Sequence, residues 1–361
     1  MTRSFARFAV AVLSAATILT ASGCNLSYYA RAAYEEGRLL WNRRPISAEL
    51  SNSDLTPQIR SRLETVLAVR EFAADRLGMK VGGAYSTITE IDQRAVVYVV
   101  MAAPRDSLTP YEWWYPIVGS VPYRGYFNEA DARAEAAHME DAGYDTLVRP
   151  AAAFSSLGFF DDPLLSNLLK LDPVVLAGVI FHELFHRTFF LASDAMFDES
   201  AATWVGSRAA IDFFASREGA NSESARAARA VYESDLTFAR FLLGAEAKLL
   251  KLYGSGVDRD QMVKDREELF VQIKRDYAQL KPSLSGLERF DLDREPLNNA
   301  VLVNYLIYFH DLDNFAALER QSGGNTRATI ERIIEIARAN PSDPFYAIWQ
   351  ATRPGQTSSA P

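Results

Sequence analysis

Thiols and imidazoles are scarce in this chain: its 361 residues include one cysteine, Cys24, and four histidines, His138, His182, His186 and His310. One thiol permits no intrachain disulfide and excludes a zinc site closed by several thiolates. Positive charge is also in deficit, with 38 Lys and Arg against 46 Asp and Glu and a formal net charge of −8. That balance argues against nucleic acid or an anionic membrane surface as a partner. It is compatible with cationic peptides, although acidic surfaces are common. No internal repeat is present. Apolar residues are not lacking: 48% hydrophobic content at this length suffices for a sizeable core in one or two domains.

Two of the four histidines stand in His182-Glu183-Leu184-Phe185-His186. On a helix, positions i and i+4 lie one turn apart on the same face, so both imidazoles reach one ion. The intervening glutamate then projects to the open side, where it can take a proton from water activated by the metal. H-E-x-x-H is the zinc metalloprotease pattern for this reason. The alternative is a pair of hydrogen-bonded or solvent-facing helix histidines. Asp172 and Pro173 open the helix as N-cap and first-turn residue, and Val174, Val175, Leu176, Val179, Ile180 and Phe181 make it apolar nearly all round. Such a helix is buried. Charged and imidazole groups seldom go there unpartnered, and a shared Zn2+ supplies the partner.

Glu199 follows His186 after twelve intervening residues, near the start of a second helix with Asp194 or Asp198 as caps. The segment Phe190–Met196 is long enough to turn the chain back. Glu199 is then either the third metal ligand or an ordinary first-turn acid favoured by the helix dipole. Two histidines and one glutamate leave a fourth tetrahedral position open, as a catalytic site needs. Asp198 is a candidate to orient a ligating imidazole.

The first 23 residues stand apart. Arg3 and Arg7 precede an apolar stretch, Phe8–Leu19, too short to span a bilayer securely. Thr20-Ala21-Ser22-Gly23-Cys24 resembles a bacterial lipoprotein signal, with Cys24 lipidated and Asn25 directing the protein to the outer membrane. Ala21 replaces the usual leucine, so ordinary secretory cleavage nearby is the alternative. Loss of Arg3 and Arg7 with the leader changes the net charge from −8 to −10. Residues 24–352 are expected to form the folded part and residues 353–361 a disordered tail.

Hydrophobic periodicity predicts helices over Tyr28–Trp41, Pro57–Leu77 and Asn128–Gly143, and strands over Tyr85–Thr89, Ala95–Met101 and Asp145–Phe154. Residues 118–126 read as turn-rich. Beyond Ala201 the pattern is helical, over Asn221–Tyr253, Val257–Leu280, Glu295–Leu312 and Arg327–Ala339. The expected class is α+β and predominantly helical. A small N-terminal sheet (about 80–160) packs on the H-E-x-x-H helix, and the C-terminal part (about 163–352) is all helical. Val148–Ala153 is either a sheet edge able to receive a substrate strand or an ordinary core strand. The aromatics Tyr111, Trp113, Trp114, Tyr115, Tyr123, Tyr126 and Phe127 line a pocket or simply pack.

The stretch from His182 to Val205 looks like the gluzincin arrangement. The chain as a whole resembles the putative aminopeptidases predicted to be bacterial lipoproteins. The resemblance is carried by Gly23-Cys24 with Tyr28-Tyr29, Pro122–Phe127, Ser155–Leu165, the metal segment and Leu297-Asn298-Asn299-Ala300. It implies a lipid-anchored, periplasm-facing zinc metallopeptidase acting on peptides or proteins, with His182, His186 and Glu199 on Zn2+ and Glu183 as general base. It also implies a tyrosine as oxyanion donor. Tyr305 and Tyr308 are available, and the position after Asn298-Asn299-Ala300 favours Tyr308 over Tyr305 or His310. The Gly-x-Met-Glu-Asn stretch of one large aminopeptidase class is missing. Asp161 and Asp162 are left either to hold a substrate ammonium or to cap the turn before Pro163. A non-catalytic zinc-bearing envelope lipoprotein, with helices from Asn221 to Leu280 as partner surface, is the alternative function.

Overall fold

The computed structural model describes residues 31, 34–35, 37–91, 97–115, 119–151, 161–192, 194–286, 290–293 and 296–353. Cys24, the leader, residues 152–160 and residues 354–361 lie outside them, and with them the expectations of lipidation, of the distal part of the 148–153 edge and of a disordered tail. The chain divides into Met1–Arg43 and Arg44–Pro361. In the first unit residues 31, 34, 35 and 37–41 are helical, as the apolar pattern predicts.

The second unit is predominantly helical α+β. Its strands are β1 (Arg44–Pro45), β2 (Thr87–Thr89), β3 (Val97–Pro104), β4 (Trp113–Tyr115), β5 (Gly119–Val121), β6 (Arg124–Tyr126), β7 (Tyr144–Ala151) and β8 (Leu164–Leu165). They form three small sheets, ordered β1-β2-β8, β6-β3-β7 and β4-β5. β3 and β7 pair antiparallel from Val97↔Ala151 to Pro104↔Tyr144. Among the described residues β7 therefore forms an edge of its sheet. The turn-rich stretch 118–126 holds two short strands that periodicity did not reveal, because three-residue strands show too little alternation.

The helices are α1 (Ile46–Leu50), α2 (Pro57–Asp75), α3 (Glu129–Asp141), α4 (Pro173–Thr188), α5 (Ala195–Glu218), α6 (Glu223–Tyr253), α7 (Arg259–Leu280), α8 (Asn299–Phe309), α9 (Leu312–Gln321), α10 (Thr326–Ala339) and α11 (Pro344–Thr352). The single helix expected over Glu295–Leu312 is shorter, and α9 follows it separately. Asp311, in the left-handed region at φ 53°, breaks the chain between them. α9 and α11 were not read from the sequence. Among the described residues no helix is long and apolar enough to cross a membrane.

α4 lies in the core against α2 and α5. Its Leu176, Ile180, Phe181, Leu184 and Phe185 are fully buried, and Phe181 meets Phe72 and Phe213 edge-on at 6.0 and 6.1 Å. Gly178 and Gly206 let α4 and α5 approach closely. A Cβ at Gly206 would sit 2.6 Å from the Gly178 carbonyl oxygen and 3.2 Å from His182 Cβ. Gly178, His182 and His186 follow one face of α4, while Glu199 and Gly206, seven apart, follow one face of α5. The glycine contact thus sits in register with the three groups above it. Gly206→Ala is expected to destabilise the fold by about 1–3 kcal/mol and to weaken cation binding. Thermal melts with and without added metal measure both, and an unchanged melt would show that the close approach is dispensable.

A buried polar network anchors β7 to the helices. Asp145 on β7 pairs with Arg266 on α7 at 2.7 Å and accepts the Asn299 backbone N–H at 3.0 Å. Asn299 Nδ2 donates to the carbonyls of Pro104 and Ser107, and Asn298 Nδ2 to that of Thr146. Asn298 also caps α8 through Val301 N–H. The Asn298-Asn299-Ala300 motif therefore sets the position of α8 on the strand pair β3–β7.

Candidate metal centre

Asp172 accepts the Val174 N–H at 2.9 Å and starts α4 as expected. Asp194 caps α5 by accepting from Phe197 N–H at 3.1 Å. The six-residue turn between the helices brings Glu199 back onto α4. His182 Nε2 and His186 Nε2 are 3.0 Å apart, and Glu199 Oε2 lies 3.1 Å from the first and 3.4 Å from the second. Among the described residues this is the group of three or more His, Cys, Asp or Glu side chains able to hold a metal ion. A tetrahedral ion with bonds near 2.0–2.1 Å places neighbouring ligand atoms about 3.3 Å apart. The spacing and the donor set both fit such an ion.

Electrostatics mark the same three residues. Burial pushes the His186 imidazole down, but the Glu199 charge and hydrogen bond outweigh it and raise the group to about 9. Burial alone would raise Glu199; the two imidazoles win and hold its carboxyl far below the usual range. In the metal-free fold this pair stabilises most between roughly pH 4.5 and 6.5, and its contribution fades as pH rises through the raised His186 value. A cation entering below that value must displace the His186 proton. Metal affinity is therefore expected to rise about tenfold per pH unit towards pH 9 and then level. Chelator-competition titrations across pH measure this, and a flat profile would contradict it.

Glu183 is pushed above the usual carboxylate range, first by burial, with His182 and His186 drawing it down and Glu199 and Asp162 pushing it up. Together with His182 it lines a cavity of about 510 Å³ bounded by α4, α5, α6, α8 and β7. Tyr308 lines the same cavity, its ring nearly parallel to that of His182 (6.2 Å between centroids, 26° between planes). Burial, then the Glu199 charge, push its phenol up to about 12 against the pull of Arg149, so it stays protonated. Arg149 on β7 donates from Nη2 to the Tyr308 oxygen at 3.1 Å and from Nε to Asn304 Oδ1 at 2.7 Å. A hydroxyl that accepts from a guanidinium keeps its own O–H to donate elsewhere.

Other sequence candidates divide. Tyr305 is on the cavity wall with its ring edge-on to Phe238 at 5.4 Å. His310 does not line the cavity; it lies 3.9 Å from Glu246, 3.8 Å from Asp311 and edge-on to Phe345 at 4.7 Å. Asp198, a candidate to orient an imidazole, accepts the Leu191 N–H at 2.9 and 3.1 Å; its charge still acts on His186, whose Nδ1 has no hydrogen-bond partner among the described residues. The inter-helix turn needs that acceptor for a backbone donor, which spacing alone did not show. Asp161 pairs with Arg187 at 2.7 Å and accepts from Gly83 N–H. Asp162 is buried, and its charge acts on Glu183 and on Tyr85. The aromatic group also splits. Tyr111 and Trp113 pack edge-on at 4.8 Å, Tyr111 meets Tyr144, and Trp114 is exposed. Tyr123 of this group feels the site, as does Tyr85 outside it: burial raises both phenols, followed by the charge of Glu199 for Tyr123 and of Glu183 for Tyr85.

Arg149, Asn304, Tyr85, Gly178 and Gly206 were missed in the sequence. The glycines had a readable signal, Gly178 four residues before His182 and Gly206 seven after Glu199. The others had none.

The family model for "Putative aminopeptidase" matches residues 27–344. The chain belongs to that family. No curated protein and no solved structure matches it. Its aminopeptidase name supports a peptidase, and the metal-ligand cluster agrees with a member that uses a metal.

Proposed function

We propose that this member of the putative aminopeptidase family is a zinc-dependent aminopeptidase. The observation that carries the reading is the convergence of His182, His186 and Glu199 within 3.0–3.4 Å beside a cavity that Glu183 also lines. A two-histidine, one-glutamate set with an open side suits Zn2+ in a catalytic role. When bound, the ion supplies Lewis-acid polarisation and acidifies water.

The remaining chemistry belongs to the side chains. Glu183, whose carboxyl burial pushes above the usual range, takes the proton of the attacking water and returns one to the leaving amine. Tyr308, kept protonated and held at its oxygen by Arg149, donates its O–H to the developing oxyanion. Arg149 is a positioning residue. β7, a strand at a sheet edge among the described residues that lines the cavity through residues 147–150, is our candidate to receive an extended substrate backbone.

The N-terminal sequence supports a lipid anchor at Cys24 and a periplasm-facing place at the outer membrane, the family supports peptides or proteins as substrates, and the net charge of −8 argues against nucleic acid. The test uses peptides with free and acetylated N-termini, incubated with the zinc-loaded chain beginning at Asn25. Cleavage of the free peptides alone, one residue at a time, is expected. Equal cleavage of both forms would make the enzyme an endopeptidase.

A further inference from the structure

We infer that the cavity beside Glu183 is a recognition pocket for a large apolar side chain of the substrate, an inference that rests on the peptidase reading. The cavity follows α4 from Glu183 and His182 back to Val174. Eight residues of helix separate His182 from Val174, which gives a depth of about 12 Å. A peptide with its scissile carbonyl at the metal ligands would therefore direct one neighbouring side chain down this channel.

The room is made by what α5 and α6 leave out. Gly206, Ser207 and Ala210 form one wall and Ala228 another. The Ser207 hydroxyl turns back onto the Thr203 carbonyl at 3.0 Å, so it presents no free donor to a ligand. Arg149 is turned towards Asn304 and Tyr308, as described above, and Asp291 has Lys281 at 3.8 Å. Between the metal ligands and Val174 the α4, α5 and α6 walls therefore offer mainly dispersion contacts, from Val174, Val175, Val179, Ala210, Ala228 and Val231.

A volume of about 510 Å³ is that of a ligand site, far more than a methyl group fills. An alanine side chain would leave most of it empty, with the loss of contacts that a cavity entails. Leucine and phenylalanine would fill it better, and a hydrophobic pocket separates neighbours by about tenfold or more per methylene.

The test is calorimetric binding of the hydroxamates of alanine, leucine and phenylalanine to the zinc-loaded mature chain. The three share one chelating group and differ only in the side chain. Leucine and phenylalanine hydroxamates are expected to bind at least about tenfold tighter than the alanine compound. Ala210→Met, which narrows the pocket from α5, is expected to compress that ratio to about twofold with zinc content at the wild-type value. Ala228→Leu, from the opposite wall, is expected to do the same and guards against a folding defect in the first variant. Equal affinities across the wild-type series would overturn the pocket, as would peptide turnover indifferent to side-chain size. A hydroxamate preference without hydrolysis of any peptide would support the pocket and count against the peptidase reading instead.

Discussion

Replacement of Glu183 by glutamine is expected to leave the metal in place and to slow peptide hydrolysis by about a thousandfold or more. The amide has the shape of the carboxylate, so the buried site keeps its packing, but it cannot accept a proton. Glu183 is not one of the three clustered ligand atoms, which come from His182, His186 and Glu199. Its raised proton affinity is what a general base working near neutral pH requires. The comparison needs zinc content and kcat on the same preparations. Unchanged turnover with full metal would remove Glu183 from the chemistry. Full metal in a chain that hydrolyses nothing, wild type included, would favour the scaffolding alternative.

The second large effect concerns Glu199. Glu199→Ala is expected to weaken zinc binding by at least about a hundredfold, since a full set of zinc ligands supplies on the order of 10–16 kcal/mol and one of three would be lost. The fold should survive, because α5 is held by buried neighbours such as Phe197, Ala201, Trp204 and Val205. In the metal-free state the variant also loses the partner that raises His186, so its imidazole becomes easier to deprotonate. Zinc stoichiometry after dialysis, with circular dichroism on the same sample, separates loss of the ligand from loss of the fold. Wild-type affinity in the variant would mean that Glu199 is only a first-turn acid.

Much of this site was local in sequence, and that is why it was legible. The i, i+4 spacing of His182 and His186, the caps at Asp172 and Asp194 and the return of the chain to Glu199 depend on helix geometry and a short turn. Helix periodicity also fixed most of α2, α3, α6, α7 and α10 to within a few residues. Tyr308 was singled out by family resemblance, and its ring does lie beside His182.

What lay far apart in the chain could not be read. Arg149 reaches Asn304 and Tyr308 across 155 and 159 residues. No local pattern encodes that meeting, which follows from the Asp145–Arg266–Asn299 network setting β7 against α8. Asp198 and Asp194 are equivalent in sequence as candidate caps, yet the turn geometry gave one to Leu191 and the other to Phe197. The sequence by itself determined the candidate ligands, the candidate base and the helical class, because each follows from residue type at helical spacing. Only the tertiary structure decided the edge position of β7, the Gly178–Gly206 contact and the depth of the cavity. Those depend on how the elements pack, and packing is settled by partners distant along the chain.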